Sequence, residues 1–526
     1  MLDFKKNWIY FLLLIFLFNL FFIIFYYNKI LQKTNDYFTY PLDDTYIHLA
    51  MAKNFKNHKV IGINGEFSST TSSPFFTVLI SLLFLIFGIR VEIPLILNIF
   101  ISFLILTYIF FLLKKYFNYY YVLLFCILFY FIIPIPTLIF SGLEHLLHIL
   151  FCMIFLNKTV EFIVLDKKNN LSLFILSIFC ISTRYESIFF IFPLLLLFLW
   201  KKNLKGALLV LSGTALPVIL YGVYSLVKGW LFLPSSIFLK GYLFHFGSIK
   251  KIFFQVGEKV YNELLTNPYL VPILLLCLFS LYHLNKKIEF FKSKTQSLSF
   301  ILFFNIIFHL HFSRTGYLYR YEAYIMAISF LLFIYFLNEY KIESKLGIIS
   351  KIAFFIIVLL GILPIIIRGY NGIFDIPNAS KNIYEQQIQM AKFLQRYYEM
   401  DWVGVNDIGA VCFFKEKVLD IWGLGNIDIT KKMIERKYNK EYLLKKIFEM
   451  DIKALVIYEK TFEYLGGTPE GLLCAGKWQI KNNKVCGYDT ISFYAREKDF
   501  PNLIKNLRDF LKELPRDVIQ SGLYLE

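Results

Sequence analysis

The chain has 526 residues, 57% of them hydrophobic and 18% charged, and a mean hydropathy of +0.58. That exceeds what a soluble core of this size needs, and it places the chain among membrane proteins that partner a lipid bilayer. The net charge of +17 comes from 55 Lys and Arg against 38 Asp and Glu. The basic residues fall in short runs at the ends of apolar segments, which is the positive-inside pattern and argues against nucleic-acid binding as the source of the charge.

In chain order, the first apolar run, Trp8 to Tyr27, reads as a retained signal anchor, because no small-residue cleavage pattern follows it. A polar loop occupies residues 31–73. A membrane block then extends to residue 368. Its runs Leu95 to Leu113, Tyr121 to Phe140 and Ala207 to Val227 are long enough, at about 1.5 Å per residue, to cross a hydrocarbon core of about 30 Å. The run from Ile352 to Ile367 is slightly short, with Lys351 and Arg368 placed to snorkel at its ends.

Basic clusters at Lys5-Lys6, Lys114-Lys115, Lys167-Lys168, Lys201-Lys202, Lys286-Lys287 and Lys341 with Lys345 mark the cytoplasmic side. The segments between them become hairpins whose outward tips are Ser141 to His145, Ser182 to Ser187, Lys228 to Asn267 and Ser313 to Glu322. Residues 74–88 are short for a span and read as re-entrant or half-length, which leaves the crossing parity open as far as Lys114. The expected fold is a mainly α polytopic bundle of about 11 to 12 apolar segments. Its membrane module covers residues 1–368, and residues 369–526 form an extracytoplasmic C-terminal domain of α/β or α+β type. In that tail Glu385 to Tyr398 has helical spacing, Trp402 to Val405, Lys417 to Ile421 and Ala454 to Tyr458 read as short buried strands, and Asn502 to Leu514 reads as a closing helix.

Five of the seven cysteines lie in apolar runs or, for Cys412, in an expected strand, and read as small core residues. Cys474 and Cys486 flank a Lys-Asn-Asn-Lys turn and form a candidate disulfide for an oxidising compartment. CxxC pairs and Gly-rich phosphate loops are both absent.

Acidic and cationic residues gather at the outward tips. Asp43-Asp44 opens a short amphipathic helix that carries His48 and Lys53. Adjacent carboxylates at a membrane surface serve as general base, acceptor clamp or cation ligand, and an Asp before a helix equally serves as its cap. Arg184 and Glu186 in TRYES sit at a membrane boundary, where ionisable groups are expensive and mark function or a snorkelling pair. Glu144 is flanked by His145 and His148, with no third ligand to complete a metal site. Lys240 and Arg320 lie among aromatics, suited to a lipid-linked phosphate or to an ordinary headgroup belt.

The segments DDTYIHLAMAKNF, NGEFSSTTSSPFFTVLIS, SGLEHLLHILF, STRYESIFF, KGWLFLPSSIFLK, YLYRYEAYIMA and VGVNDIGAVCFFKEKVLDIWGLGN, in that order, resemble the GT-C superfamily of membrane glycosyltransferases. The likeness is strongest to arabinofuranosyltransferases of the mycobacterial cell-wall type and their bacterial relatives, and it covers roughly residues 35–430. It implies a multi-pass enzyme of a bacterial cytoplasmic membrane whose active site faces outward. The donor would be a polyprenyl-phosphate sugar and the acceptor a cell-surface glycan or glycolipid, with inversion at the anomeric carbon. By matching position, Asp43 and Asp44 become the catalytic acids, and His48, Glu144, Arg184, Glu186, Lys240 and Arg320 the substrate-binding set. Family members often carry Arg-Pro-Glu-Gly where this chain has Arg184 to Ser187.

Asp43 is the preferred base in this reading, since Asp44 stands nearer the helix it would cap. A divalent metal (Mg, Mn or Ca) is an open cofactor, because two adjacent Asp can bind one without completing its shell. The competing functional classes are a transporter or flippase of lipid-linked sugars and a non-catalytic envelope assembly protein.

Overall fold

The computed structural model describes residues 8–165, 171–241, 249–285, 291–340 and 347–526. The basic residues Lys5, Lys6, Lys167, Lys168, Lys286, Lys287, Lys341 and Lys345 lie outside them. The described chain is mainly helical with one small sheet near its C-terminus.

The first half runs α1 (Trp8–Lys33), α2 (Asp44–His58), α3 (Pro74–Phe87), α4 (Ile93–Lys114), α5 (Tyr119–Ile132), α6 (Ile135–Ser141), α7 (His145–Leu165) and α8 (Ser172–Thr183). It continues through α9 (Ile188–Trp200), α10 (Leu204–Val227), α11 (Ser235–Lys240), α12 (Ile249–Thr266), α13 (Val271–Asn285), α14 (Lys294–Phe312), α15 (Ala323–Tyr340) and α16 (Ile348–Phe374). Six of these, α1, α4, α7, α10, α14 and α16, are long and apolar enough to cross a membrane. Two bent pairs raise the number to eight: α5 with α6, bent by 49° at Ile133-Pro134, and α12 with α13, bent by 105°. Four shorter apolar helices accompany them. Pro193, Pro217 and Pro364 sit inside helices, as neighbouring helices permit in a membrane bundle. Exposed Leu17 and Phe21 on α1, and Phe355 and Leu359 on α16, give those helices apolar outer faces suited to lipid.

α3 begins and ends at the same end of the bundle. His48 on α2 bonds Thr77 near its start at 2.8 Å. Gly88 at its end lies beside Lys56, one turn from the end of α2. Just beyond, the Tyr40 hydroxyl donates to the Val91 carbonyl at 2.6 Å. α3 therefore runs alongside α2, and α4 starts level with the loop at residues 31–73. At the opposite end of α4, the Lys114 ammonium lies over the Trp8 ring at 5.4 Å, so α1 begins there.

Arg368 does not snorkel. It is 1% exposed, donates to the carbonyls of Ile132 and Tyr319 at 2.8 Å, and pairs with Glu322 at 3.2 Å. α16 continues past it to Phe374, so the charge falls inside the helix and is met by a buried acid.

Past α16 come α17 (Ile376–Ile383), a π-helical turn (Tyr384–Ile388), α18 (Gln389–Tyr398) and a six-stranded sheet. Its strands are β1 (Val403–Val405), β2 (Val418–Asp420), β3 (Ala454–Ile457), β4 (Leu472–Gln479), β5 (Thr490–Arg496) and β6 (Ile519–Ser521), in the order β2-β1-β3-β5-β4-β6. β1 pairs in parallel with β2 and β3, while β3, β5, β4 and β6 pair antiparallel. The crossover from β1 to β2 is α19 (Gly409–Phe414), so Cys412 is helical rather than in a strand.

Cys474 and Cys486 are both free. Cys474 packs with Leu455 and Tyr494 on one side of the sheet, whereas Cys486 belongs to the opposite core and lies 3.4 Å from Gln387 Oε1. A strand presents alternate residues to opposite faces, and the sheet itself separates these two thiols.

Candidate functional site

At the end of the bundle where α2 begins, a cavity of about 810 Å³ opens between the membrane helices and the C-terminal domain. Asp44, His48, Glu144, Arg184, Glu186, Lys240 and Arg320 all line it. These residues come from five separate stretches of sequence, Asp44 and His48 from α2 and the others from the ends of later helices. Helix ends put them there: Glu144 precedes α7, Arg184 and Glu186 join α8 to α9, Lys240 ends α11 and Arg320 precedes α15.

The two aspartates part company. Asp43 is the N-cap of α2 but makes no side-chain capping bond to it. Its carboxylate turns to the C-terminal domain and accepts the Gly409 and Ala410 amides at 2.7 and 2.8 Å, at the N-terminus of α19. Burial and the neighbouring Asp407 charge push Asp43 up from the usual carboxylate range, against the pull of those two bonds.

Asp44 faces the cavity. Its side chain is 33% exposed, paired with Arg320, itself 4% exposed, and with Lys240 at 3.5 Å. Burial opposes its ionisation, but Lys240 and Arg320 outweigh that and hold it well below the usual range. His48 is kept neutral by burial, its Nδ1 bonded to Thr77 and its Nε2 3.6 Å from Glu144.

The arginines differ in how fully they are engaged. Arg184 bridges Glu144 and Glu186, so most of its charge is already matched. Arg320 binds Asp44 and the Tyr321 hydroxyl (2.9 Å) through Nη2 alone. Its Nε and Nη1 are buried without a partner, as is the Ser236 hydroxyl nearby. Buried unsatisfied donors are costly, and here the two residues that carry them line a space of ligand size. Tyr321 lies against both guanidinium groups, with its ring centroid 4.7 Å from Arg320 and 5.6 Å from Arg184.

Away from the charges the cavity turns apolar, along Phe192, Leu211, Ala215, Ile219 and Phe232 of α9, α10 and the segment after it. Phe192, Leu211 and Ile219 are also exposed on the outer face of the bundle, so this arm reaches the surface that lipid would cover.

Among the described residues, no group of three or more His, Cys, Asp or Glu could hold a metal ion. The two acids that suggested one face different ways.

The C-terminal domain closes the cavity and grips the first loop. Asn64 and Val418 exchange two hydrogen bonds at 2.8 and 3.0 Å, Lys53 donates to the Phe413 carbonyl at 2.7 Å, and Ser235 donates to the Leu424 carbonyl. Leu424 itself lines the cavity. The sequence reading missed Tyr321, Ser236, Leu424 and Asp407. Tyr321 had a signal in its position between Arg320 and Glu322.

Residues 381–497 match a domain family described as a domain of unknown function, DUF8728. The match runs from the end of α17 through β5 and includes α19 and β2, which meet the first loop. No curated protein matches the chain.

Proposed function

We propose that the chain is a membrane glycosyltransferase that transfers a sugar from a polyprenyl-phosphate donor to a glycan or glycolipid acceptor with inversion. The observation that carries this reading is the two-part cavity: a charged head lined by Arg184, Lys240 and Arg320, joined to an apolar arm of exposed side chains that lipid would cover. A lipid phosphate ester has that same division between an anionic head and an apolar chain. A soluble nucleotide sugar would leave the arm unused.

In this reading Arg320 and Lys240 receive the donor phosphate, and Asp44 is the base. As the phosphate draws both cations toward itself, Asp44 loses part of the charge that held it ionised and becomes more basic. It takes the proton from the acceptor hydroxyl. The hydroxyl oxygen bonds to the anomeric carbon as the carbon–phosphate-oxygen bond breaks, and polyprenyl phosphate leaves with the electron pair, stabilised by the same cations. Asp43 positions this base by fixing the start of α2.

The same reading takes α1, α4, α5 with α6, α7, α8, α9, α10, α13, α14, α15 and α16 as crossings, eleven in all, with α3 kept on one side. Cavity, first loop and C-terminal domain then share the extracytoplasmic side of a bacterial cytoplasmic membrane, and Lys114 lies inside. The test is reconstitution with a polyprenyl-phosphate sugar and an acceptor glycan. Transfer by the wild type that is lost in Asp44→Asn is expected. Undiminished transfer in Asp44→Asn overturns the assignment of the base, and sugar-lipid translocation without transfer overturns the enzyme.

A further inference from the structure

Helices α12 and α13 meet at a bend of 105° around Asn267 to Leu270. α13 carries an exposed stripe of Val271, Leu275, Leu278 and Tyr282. At this spacing of i, i+4, i+7 and i+11 the four side chains share one helix face, which lipid covers when α13 crosses the bilayer. The stripe starts at the first residue of α13, so the bilayer surface is met at the bend. α12 leaves the bend close to a right angle from α13 and therefore runs along that surface.

Hydrogen bonds set α12 level with the charged end of the cavity. Thr315 donates to the Glu263 carboxylate at 3.0 Å and accepts the Asn267 side-chain amide at 3.0 Å. Just past the bend, the Tyr269 hydroxyl donates to Glu322 at 2.9 Å. Thr315 and Glu322 flank Arg320, and Arg314 and Arg320 both line the cavity.

From Phe254 onward the side chains of α12 fall into three sectors, at about 100° per residue. Val256, Val260 and Leu264 turn to the bundle, where Val260 is buried and the other two pack against the core. Phe254, Tyr261 and Leu265 form a second apolar sector, about 120° around the helix from the first. They are 71%, 62% and 63% exposed. Gln255, Lys259, Asn262 and Thr266 fill a polar arc, with Glu258 at its border with the exposed apolar sector. A spanning helix is apolar all round, and a helix wholly in water has no second apolar face to bury. One face to protein, one apolar and open, and one polar is the division that suits a helix lying in a membrane interface.

We infer that α12 lies in the plane of the membrane, at the leaflet surface on the cavity's side, with Phe254, Tyr261 and Leu265 set into the boundary between phospholipid headgroups and acyl chains. The Tyr261 ring has an apolar body and a polar tip, which is the side chain that this layer favours. The polar arc then faces water. Seated there, α12 fixes the Arg320 loop at the depth of the headgroups through Glu263 and Asn267. The seating of the helix stands independently of the reaction proposed for the cavity.

The test uses the full chain in phosphatidylcholine nanodiscs holding one or two copies, with Cys474→Ser removing the one cysteine that is not buried. Phe254→Cys, Tyr261→Cys and, on the polar arc, Asn262→Cys each receive an environment-sensitive fluorophore. All three positions are exposed, so the labels leave the core intact. At 254 and 261 the emission is expected to be blue-shifted from that at 262. Phosphatidylcholine brominated near the headgroup is expected to quench these two labels about twofold or more better than phosphatidylcholine brominated near the chain ends, as befits a shallow helix. Aqueous iodide is expected to quench the label at 262. Iodide quenching at 254 and 261 equal to that at 262 puts the face in water and overturns the inference. Stronger quenching by the chain-end bromines makes α12 a re-entrant or spanning helix and overturns it as well. A blue shift that neither bromolipid quenches means that protein covers the face, which also overturns it, and a shift confined to two-copy discs identifies that protein as a second copy of the chain.

Discussion

The Asp43 carboxylate lies 2.7 Å from the Gly409 amide, and a methyl group on Gly409 would sit 2.6 Å from the same carboxylate oxygen. The absence of a side chain at 409 is thus what lets the first loop and the C-terminal domain close on each other. Gly409→Ala is expected to cost about 1–3 kcal/mol through overpacking. The prediction is a lower Tm for the full chain in detergent, faster limited proteolysis of the C-terminal domain, and reduced transfer, because α2 loses the anchor that fixes Asp44. Asp43→Asn, which keeps one acceptor oxygen, is expected to fall between the wild type and Gly409→Ala. Equal Tm in all three contradicts the latch.

The gathering of Glu144, Arg184, Glu186, Lys240 and Arg320 was legible because each interrupts or ends an apolar run. Helices that cross a bundle bring their ends to two planes, and charge near one plane has few places to go. The role of Asp43 was not legible, since its partner is 366 residues away in sequence. β4 escaped notice because a register shift between Cys474 and Gly476 breaks its period of two, and β5 because it is buried on both faces. Arg368 read as a span end because its acid, Glu322, belongs to a different element.

Asp44 gives the pH dependence a definite sign. In the free protein, Lys240 and Arg320 hold it well below the usual carboxylate range, so the acid limb of kcat/KM falls below that range as well. With donor bound, the phosphate shares those cations and adds its own negative charge, so the acid limb of kcat lies at higher pH than that of kcat/KM. Lys240→Met removes one cation and moves the kcat/KM limb upward. Coincident limbs in pH–rate profiles of the wild type would sink the proposed exchange of cations.

Asp420 ends β2 and holds the loop that carries Leu424, accepting the amides of Trp422 at 2.9 Å and Gly425 at 2.6 Å. Burial pushes its carboxyl up to about 7. A folded value above the unfolded one means that the folded state binds more proton, so this group's contribution is present at low pH and is lost as pH rises through about 7. Thermal scans between acid and neutral pH are expected to show that fall, and Asp420→Asn to flatten it.

The apolar arm predicts a dependence on donor length. Ala215 lines it midway along α10, and Ala215→Phe narrows it without touching any charged group. The KM for a long-chain polyprenyl-phosphate sugar is expected to rise by about tenfold, the order of a few buried methylenes at about 0.8 kcal/mol each. A short, water-soluble analogue, which does not fill the arm, is expected to change little. An equal effect on both donors would place the lipid elsewhere.

Arg184 and Arg320 separate a structural cation from a ligand-binding one. Arg184 neutralises Glu144, 4% exposed, and Glu186, 16% exposed, so Arg184→Ala leaves two poorly solvated carboxylates facing each other. Removing one partner of a buried pair costs about 3–5 kcal/mol, and that loss is expected to appear as low yield and a lowered Tm. Arg320 pairs with a partly exposed acid that Lys240 also serves, so Arg320→Ala leaves a charge that the cavity still solvates. Its expected effect is catalytic, a loss of about 10²–10³ in kcat of the size seen when one preorganised donor is removed from a developing anion. The difference is read by measuring Tm and kcat on the same preparations. The Arg184 variant should lose stability first and the Arg320 variant should lose turnover first, and the reverse order would exchange their roles.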